Sequence, residues 1–238
     1  MRIVGIIPAR YESSRFPGKP LIDLKGKSMI QRVYEGAVKA SKLDGVIVAT
    51  DDKRIYEEVK RFGGEVVMTS GEHTTGTERC GEVAIGVDAD IIVNIQGDEP
   101  LVDHRQLDSL CSAFKEESVQ IATLAIKKVT PEDIDNKNRI KIVLDKNRDA
   151  MYFSRSPIPS AINTIESLDF YRHIGLYAYR SDTLKDLVQL EPVALEKSES
   201  LEQLRWMYYG YKVRVVETEI ETPNIDVPED VDKVISEL

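Results

Sequence analysis

The chain has 238 residues, 42% of them hydrophobic and 31% charged, with a formal net charge of -9. That length suits one α/β domain, or one domain with a small insertion, and it is enough to bury a sizeable core. The negative balance argues against a nucleic-acid or anionic-membrane surface, which needs a concentrated basic face, so an anionic ligand must meet a local basic cluster.

The first half alternates short β-branched runs with helical patterns, the signature of βαβ units and a mostly parallel sheet. Strands are predicted over residues 2–8, 45–50, 65–69 and 90–95, and their near-continuous apolar character suits strands covered on both faces. MRIVGII runs directly into Pro8 and Arg10, without the h-region of a signal peptide. No run approaches the roughly 20 apolar residues of a membrane span, and a soluble, cytoplasmic protein is expected. Helices are predicted over residues 29–41, 53–62 and 77–87, the middle one with Ile55, Val59 and Phe62 at helical spacing. A further helix over 104–117 follows. Cys80 and Cys111 fall in helical stretches with no partner at CxxC or metal-ligand spacing, which fits buried free thiols.

From residue 120 the pattern changes to β segments over 120–128, 139–144, 150–154 and 171–179, read as an antiparallel lobe appended to the parallel sheet. Pro157 and Pro159 interrupt any ladder there, and residues 160–170 read as a loop. A helix over 198–209, ended by Gly210, precedes a strand over 212–217, and Pro228-Glu229-Asp230 opens a last helix. The expected organisation is one domain over 1–238, with residues of about 120–180 forming the smaller lobe.

Ligands of open α/β sheets sit outside the carboxyl ends of the strands, and three polar segments fall there. Arg10, Arg15 and Lys19, with Ser13, Ser14 and Gly18, follow the first strand. A unit charge pair at 4 Å is worth roughly 4 kcal/mol at an effective dielectric near 20, so these cations can hold a triphosphate despite the acidic whole. The loop matches neither GxxxxGK[ST] nor GxGxxG, and on composition it reads equally as a solvated loop. The second segment is Gln96-Gly97-Asp98-Glu99-Pro100. Asp98 suits Mg²⁺, which takes one or two carboxylates together with waters and phosphate oxygens; the alternative is a cap for the next helix. Asp226, in Asn224-Ile225-Asp226-Val227-Pro228, is either a second carboxylate for that metal or an N-cap.

The stretches IPARYESSRFPGKPL, VIVATDD, FGGEVVMTS, GTER, VNIQGDEPL, YFSRSPIP, HIGLYAYR, LEQLRWMYYGYK and IDVPED together resemble the 3-deoxy-manno-octulosonate cytidylyltransferase (CMP-Kdo synthetase) family over nearly the whole chain. The resemblance implies a Rossmann-like α/β fold of the nucleotide-diphospho-sugar transferase type, a homodimer, Mg²⁺ dependence, and the conversion of CTP and 3-deoxy-manno-octulosonate (Kdo) to CMP-Kdo and pyrophosphate for lipopolysaccharide. Arg10, Ser13, Arg15 and Lys19 would then hold the triphosphate, with Arg10, Lys19 and Asp98 acting in catalysis. Arg79 and Gln96 would lie at the cytidine, and Asp98 and Asp226 would bind magnesium. Arg155, His173, Glu202 and Gln203 would read the sugar acid; the rival readings are a core histidine for His173 and a solvated helix face for Glu202 and Gln203. Ser28 and Val227 stand where the family more often has proline and threonine. A related cytidylyltransferase for another 2-keto sugar acid is the nearest alternative. A glycosyltransferase would be expected to carry D-x-D, and a silent relative to lack Asp98 or Lys19.

Overall fold

The computed structural model describes residues 1–12, 16–127, 130–160 and 169–238. In chain order the elements are β1 (Ile3–Ala9), α1 (Met29–Ala37), β2 (Gly45–Thr50), α2 (Lys53–Arg61), β3 (Glu65–Met68), α3 (Gly76–Gly86), β4 (Ile91–Asn94) and α4 (His104–Ser112). They continue as β5 (Ile121–Ile126), α5 (Pro131–Asp135), β6 (Lys141–Leu144), β7 (Ala150–Ser154), β8 (Tyr171–Arg180), α6 (Ser181–Leu187), α7 (Ala194–Glu199), α8 (Gln203–Tyr208), β9 (Val213–Glu217) and α9 (Asp230–Glu237). The chain divides into two compact units, the first comprising Met1–Cys111, Ala178–Val188 and Thr222–Leu238, the second Ser112–Tyr177 and Gln189–Glu221.

In the first unit β1 pairs in parallel with β2 and β4, and β2 with β3, giving the order β3-β2-β1-β4. The apolar strands dictate this arrangement, since Ile3, Val4, Ile6 and Ile7 of β1 and Ile91, Ile92 and Val93 of β4 are all buried and need covering on both faces. Side-chain caps start the covering helices. Ser28 Oγ accepts from Gln31 N at 3.3 Å for α1, and Asp52 accepts from Arg54 N at 2.8 Å for α2. The serine that departs from the family pattern is therefore an N-cap. Thr75 and Glu78 form a reciprocal capping box for α3. The carboxy-terminal segment returns to this unit, where Ile225 and Val234 pack with Leu24 and Met29 in one buried cluster.

In the second unit β6 runs antiparallel to β7 and to β8. β5 also pairs in parallel with β9, a strand that lies beyond the expected lobe, Ile121 opposite Val213. Parallel neighbours need a long return connection, and the chain between Ile126 and Val213 supplies it.

Several helix ends also differ from the sequence reading. The first helix stops at Ala37, where Lys39 N to Gly36 O (3.3 Å) and Ala40 N to Ala37 O (3.0 Å) tighten the backbone into turns. The helix expected over 198–209 is two helices, α7 and α8, parted by Ser200 in the left-handed region at φ 51°. The helix expected over 104–117 ends as α4 at Ser112 and continues as a 3-10 turn at Ala113–Lys115. α5 and α6 were not expected, and residues 161–168 of the expected loop lie outside the described residues. Cys80 and Cys111 are buried free thiols, burial pushing Cys111 up to about 12. Among the described residues no helix is long and apolar enough to cross a membrane.

Candidate active site

The carboxyl ends of β1 and β4 open into a cavity of about 230 Å³ within the first unit. Its walls are the chain leaving β1 (Pro8, Ala9, Arg10), the chain leaving β4 (Gln96, Gly97, Asp98), the entry to α3 (His73 to Gly76, with Arg79) and Lys19 and Pro20. Gly97 is needed where two of these walls meet, because a Cβ there would stand 2.7 Å from the Pro8 carbonyl oxygen.

The loop after β1 is closed at its neck. Gly18, at φ 73°, donates its N–H to Tyr11 O at 2.9 Å, and the Arg54 guanidinium lies 3.2 Å from the Tyr11 ring centroid. Gly18 also leads into a 3-10 turn, Lys19–Leu21, that delivers Lys19 to the cavity. Arg10 is exposed on the cavity wall. Ser13 and Arg15 lie outside the described residues.

Lys19 Nζ donates to Asp98 Oδ2 at 2.9 Å and to the Ile225 carbonyl at 2.7 Å, and Ile225 N in turn donates to Asp98 O at 2.9 Å. The sequence segments around Asp98 and Asp226 are thus tied together through the residue before Asp226. Neither carboxylate is a helix cap. α4 begins at His104, with Asp103 accepting from Arg105 N at 2.8 Å. At α9 the N-cap position is Glu229, without a side-chain cap. Asp226 accepts from Asn224 Nδ2 at 2.9 Å, while Asp230 takes the N–H groups of Asp226 and Val227 at 2.8 and 3.0 Å. Burial pushes the Asp230 carboxyl up, but the N–H groups of Val227 and Asp226 outweigh it and hold the group below its ordinary range. Among the described residues no group of three or more His, Cys, Asp or Glu side chains is placed to hold a metal. Of the two carboxylates, Asp98 lines the cavity and Asp226 is not among its lining residues; one or two carboxylates with phosphate oxygens are the donor set Mg²⁺ uses, and the Lys19 ammonium seated on Asp98 shows that this carboxylate takes a cation.

Two neighbours, Glu99 and His73, were not foreseen from sequence. Glu99 is buried, and that burial together with the Asp98 carboxylate pushes its pKa up to about 8 against a Thr222 hydroxyl at 3.3 Å. It is therefore mostly protonated at pH 7. His73 forms part of the wall and is bonded through Nε2 to Glu82. Its placement follows from the Thr75-x-x-Glu78 cap, a signal visible in the sequence. Arg79 was foreseen as a cytidine contact, yet its buried guanidinium is bound to Asp51 at 2.9 Å, to Ser70 O at 3.3 Å and to the Thr69 hydroxyl. It fixes the wall by joining the segments that follow β2 and β3.

The four residues foreseen for the sugar acid lie in the second unit. Arg155 spends three N–H groups on carbonyls, Glu199 O at 2.6 Å, Lys137 O at 2.9 Å and Ser200 O at 3.2 Å. The Nζ of fully buried Lys141 donates to Arg155 O at 2.6 Å and to Asn136 O at 2.9 Å. His173 packs edge-on against Phe153 at 5.3 Å and bonds through Nε2 to Thr123 Oγ1 at 2.9 Å. Burial lowers its pKa to about 3, so the ring is neutral at pH 7. Glu202 and Gln203 stand at the N-terminal end of α8, Gln203 buried.

A parallel α/β sheet with a cation-lined cavity at its strand ends defines a nucleotide-binding transferase, and a family model described as cytidylyltransferase matches residues 4–218. The 3-deoxy-manno-octulosonate cytidylyltransferase of Parabacteroides distasonis is 52% identical over 100% of this chain and 98% of its own. That of Geobacter metallireducens is 46% identical over 100% and 98%. A solved structure of CMP:2-keto-3-deoxy-manno-octonic acid synthetase complexed with CTP superposes with a TM-score of 0.95 at 42% identity, covering 99% of this chain and 98% of that one. At 14% identity, 4-diphosphocytidyl-2C-methyl-D-erythritol synthase from Anaerococcus prevotii shares the fold, with a TM-score of 0.66 over 99% and 97%. The chain belongs to the 3-deoxy-manno-octulosonate cytidylyltransferase family.

Proposed function

We propose that this chain transfers CMP from CTP to the anomeric hydroxyl of Kdo, releasing pyrophosphate and supplying an activated sugar for lipopolysaccharide synthesis in the cytoplasm. The observation that carries the reading is the cavity at the ends of β1 and β4, where Arg10, Lys19 and Asp98 converge, in a chain 52% identical to a relative of that name. The sugar hydroxyl oxygen forms a bond to the α-phosphorus, the bond to the bridging oxygen breaks, pyrophosphate leaves in line and the hydroxyl proton is released.

The difficulty is bringing a sugar carboxylate beside a polyanion. Arg10, Lys19 and, outside the described residues, Ser13 and Arg15 are assigned to the phosphates, where positioning and fixed positive charge supply the rate. Asp98 and Asp226 are assigned to Mg²⁺, which supplies positive charge against the phosphate oxygens when bound. Gln96 and the wall held by Arg79 are assigned to the cytidine. Glu99 is kept mostly protonated by burial. Arg155, His173, Glu202 and Gln203 are assigned to the sugar acid. Among the described residues Arg155 has used three of its five N–H groups, which leaves two for a carboxylate. His173, neutral at pH 7, would contribute a hydrogen bond and no charge. The second unit, which holds these four, is assigned to sugar binding and to pairing of two chains.

The test is a turnover panel in which pyrophosphate is measured with CTP against several 2-keto sugar acids. Release is expected only with CTP, Kdo and Mg²⁺ together; nucleoside diphosphate release, or turnover with a sialic acid and none with Kdo, overturns the reading.

A further inference from the structure

We infer that Lys19 is the resident cation of the metal site, seated on Asp98 in the nucleotide-free protein, and that it makes entry of a divalent ion conditional on the nucleotide. The inference rests on the proposed reading of Asp98 as a metal ligand. It begins from the direction of one side chain. Lys19 is carried by a loop whose other cations are assigned to phosphate, yet its ammonium is turned onto Asp98 Oδ2 at 2.9 Å and the Ile225 carbonyl at 2.7 Å. The pair is withdrawn from solvent, with side-chain exposures of 13% and 29%, so the carboxylate is neutralised before any ligand arrives.

An ammonium and a divalent cation on the same carboxylate oxygen repel each other, and the ion alone must displace Lys19 into a cavity whose lining, among the described residues, holds no other carboxylate. A nucleoside triphosphate changes this balance. Its phosphates give the ammonium a second anionic partner, which Lys19 reaches by rotating about its own side chain, and Asp98 is released to the metal as the two charges exchange. Ile225 is involved at both ends of the exchange: its N–H stays on Asp98 O at 2.9 Å, and its carbonyl loses the ammonium. Lys19 therefore couples two ligands, and coupling between binding sites is typically worth about 5–150-fold in affinity.

The experiment is titration of the full chain with Mn²⁺, bound and free ion being separated by electron paramagnetic resonance, with and without CTP. Wild type is expected to bind Mn²⁺ weakly alone and far more tightly with CTP. Lys19→Met and Lys19→Gln, with folding checked by near-ultraviolet circular dichroism, are expected to bind nucleotide-free Mn²⁺ at least about fivefold more tightly than wild type, and adding Asp98→Asn is expected to abolish that gain. If neither folded variant tightens Mn²⁺ binding, or if wild type binds the free ion as tightly as they do, the gating role is overturned while Asp98 keeps its assignment. Undiminished Mn²⁺ binding with CTP in the Asp98→Asn single variant removes Asp98 from the metal site and overturns the Lys19 inference with it.

Discussion

His173 shows how one residue couples burial to pH. Its pKa is about 3 in the folded chain and about 6.5 when unfolded. Above pH 6.5 the ring is neutral in both states. As the pH falls below 6.5 the unfolded chain takes up a proton that the folded chain refuses, so stability is lost between pH 6.5 and 3. Glu99 has the opposite sign: its carboxyl, raised to about 8, costs stability as the pH rises from 4.5 towards 8. The observable for His173 is therefore a difference. Urea unfolding of wild type and His173→Gln is expected to show wild type losing about 1.2 kcal/mol more between pH 6 and 5; parallel slopes would show the ring titrating normally. That Arg10, Lys19 and Asp98 would line one cavity was legible because they are charged groups in segments leaving predicted strands. The neutral state of Glu99 and the engagement of Arg79 were not legible, since both depend on burial by residues distant in sequence.

Among elements, the crossing of the chain leaving β1 by that leaving β4 fixes the floor of the cavity. Gly97→Ala would place a methyl 2.7 Å from a backbone oxygen, which cannot rotate away as a side chain can. It is expected to cost about 1–3 kcal/mol and to weaken CTP binding. Gly45→Ala, at the start of β2 with nothing within 4 Å, is expected to stay within about 0.5 kcal/mol. Urea midpoints and CTP titration measure both, and equal shifts for the two would remove the close approach as the cause. The core strands of the first unit were legible because doubly buried strands are continuous apolar runs. The break at Ser200 was hidden, because serine carries no preference for φ of 51°. The parallel pairing of β5 with β9 was hidden as well, because strand direction across so long a connection leaves no local pattern. The caps at Thr75 and Thr130, by contrast, are written in the sequence as Thr-x-x-acid.

For the whole molecule, two chains are expected to associate, and multi-angle light scattering should return about twice the 26.9 kDa chain mass; a monomer at micromolar concentration overturns that assignment. The first unit is assembled from three separated stretches of sequence, and the last of them, Thr222–Leu238, brings Asp226, the Ile225 carbonyl that holds Lys19 and half of the buried cluster around Leu24 and Met29. Translation gives this arrangement a timetable. Asp226 is added 128 residues after Asp98, an interval of roughly 6–26 s at about 5–20 residues per second. During that interval the nascent chain already carries the basic loop and the first carboxylate but lacks the second. A ribosome that stalls before residue 222 leaves a polypeptide without one of its proposed metal ligands.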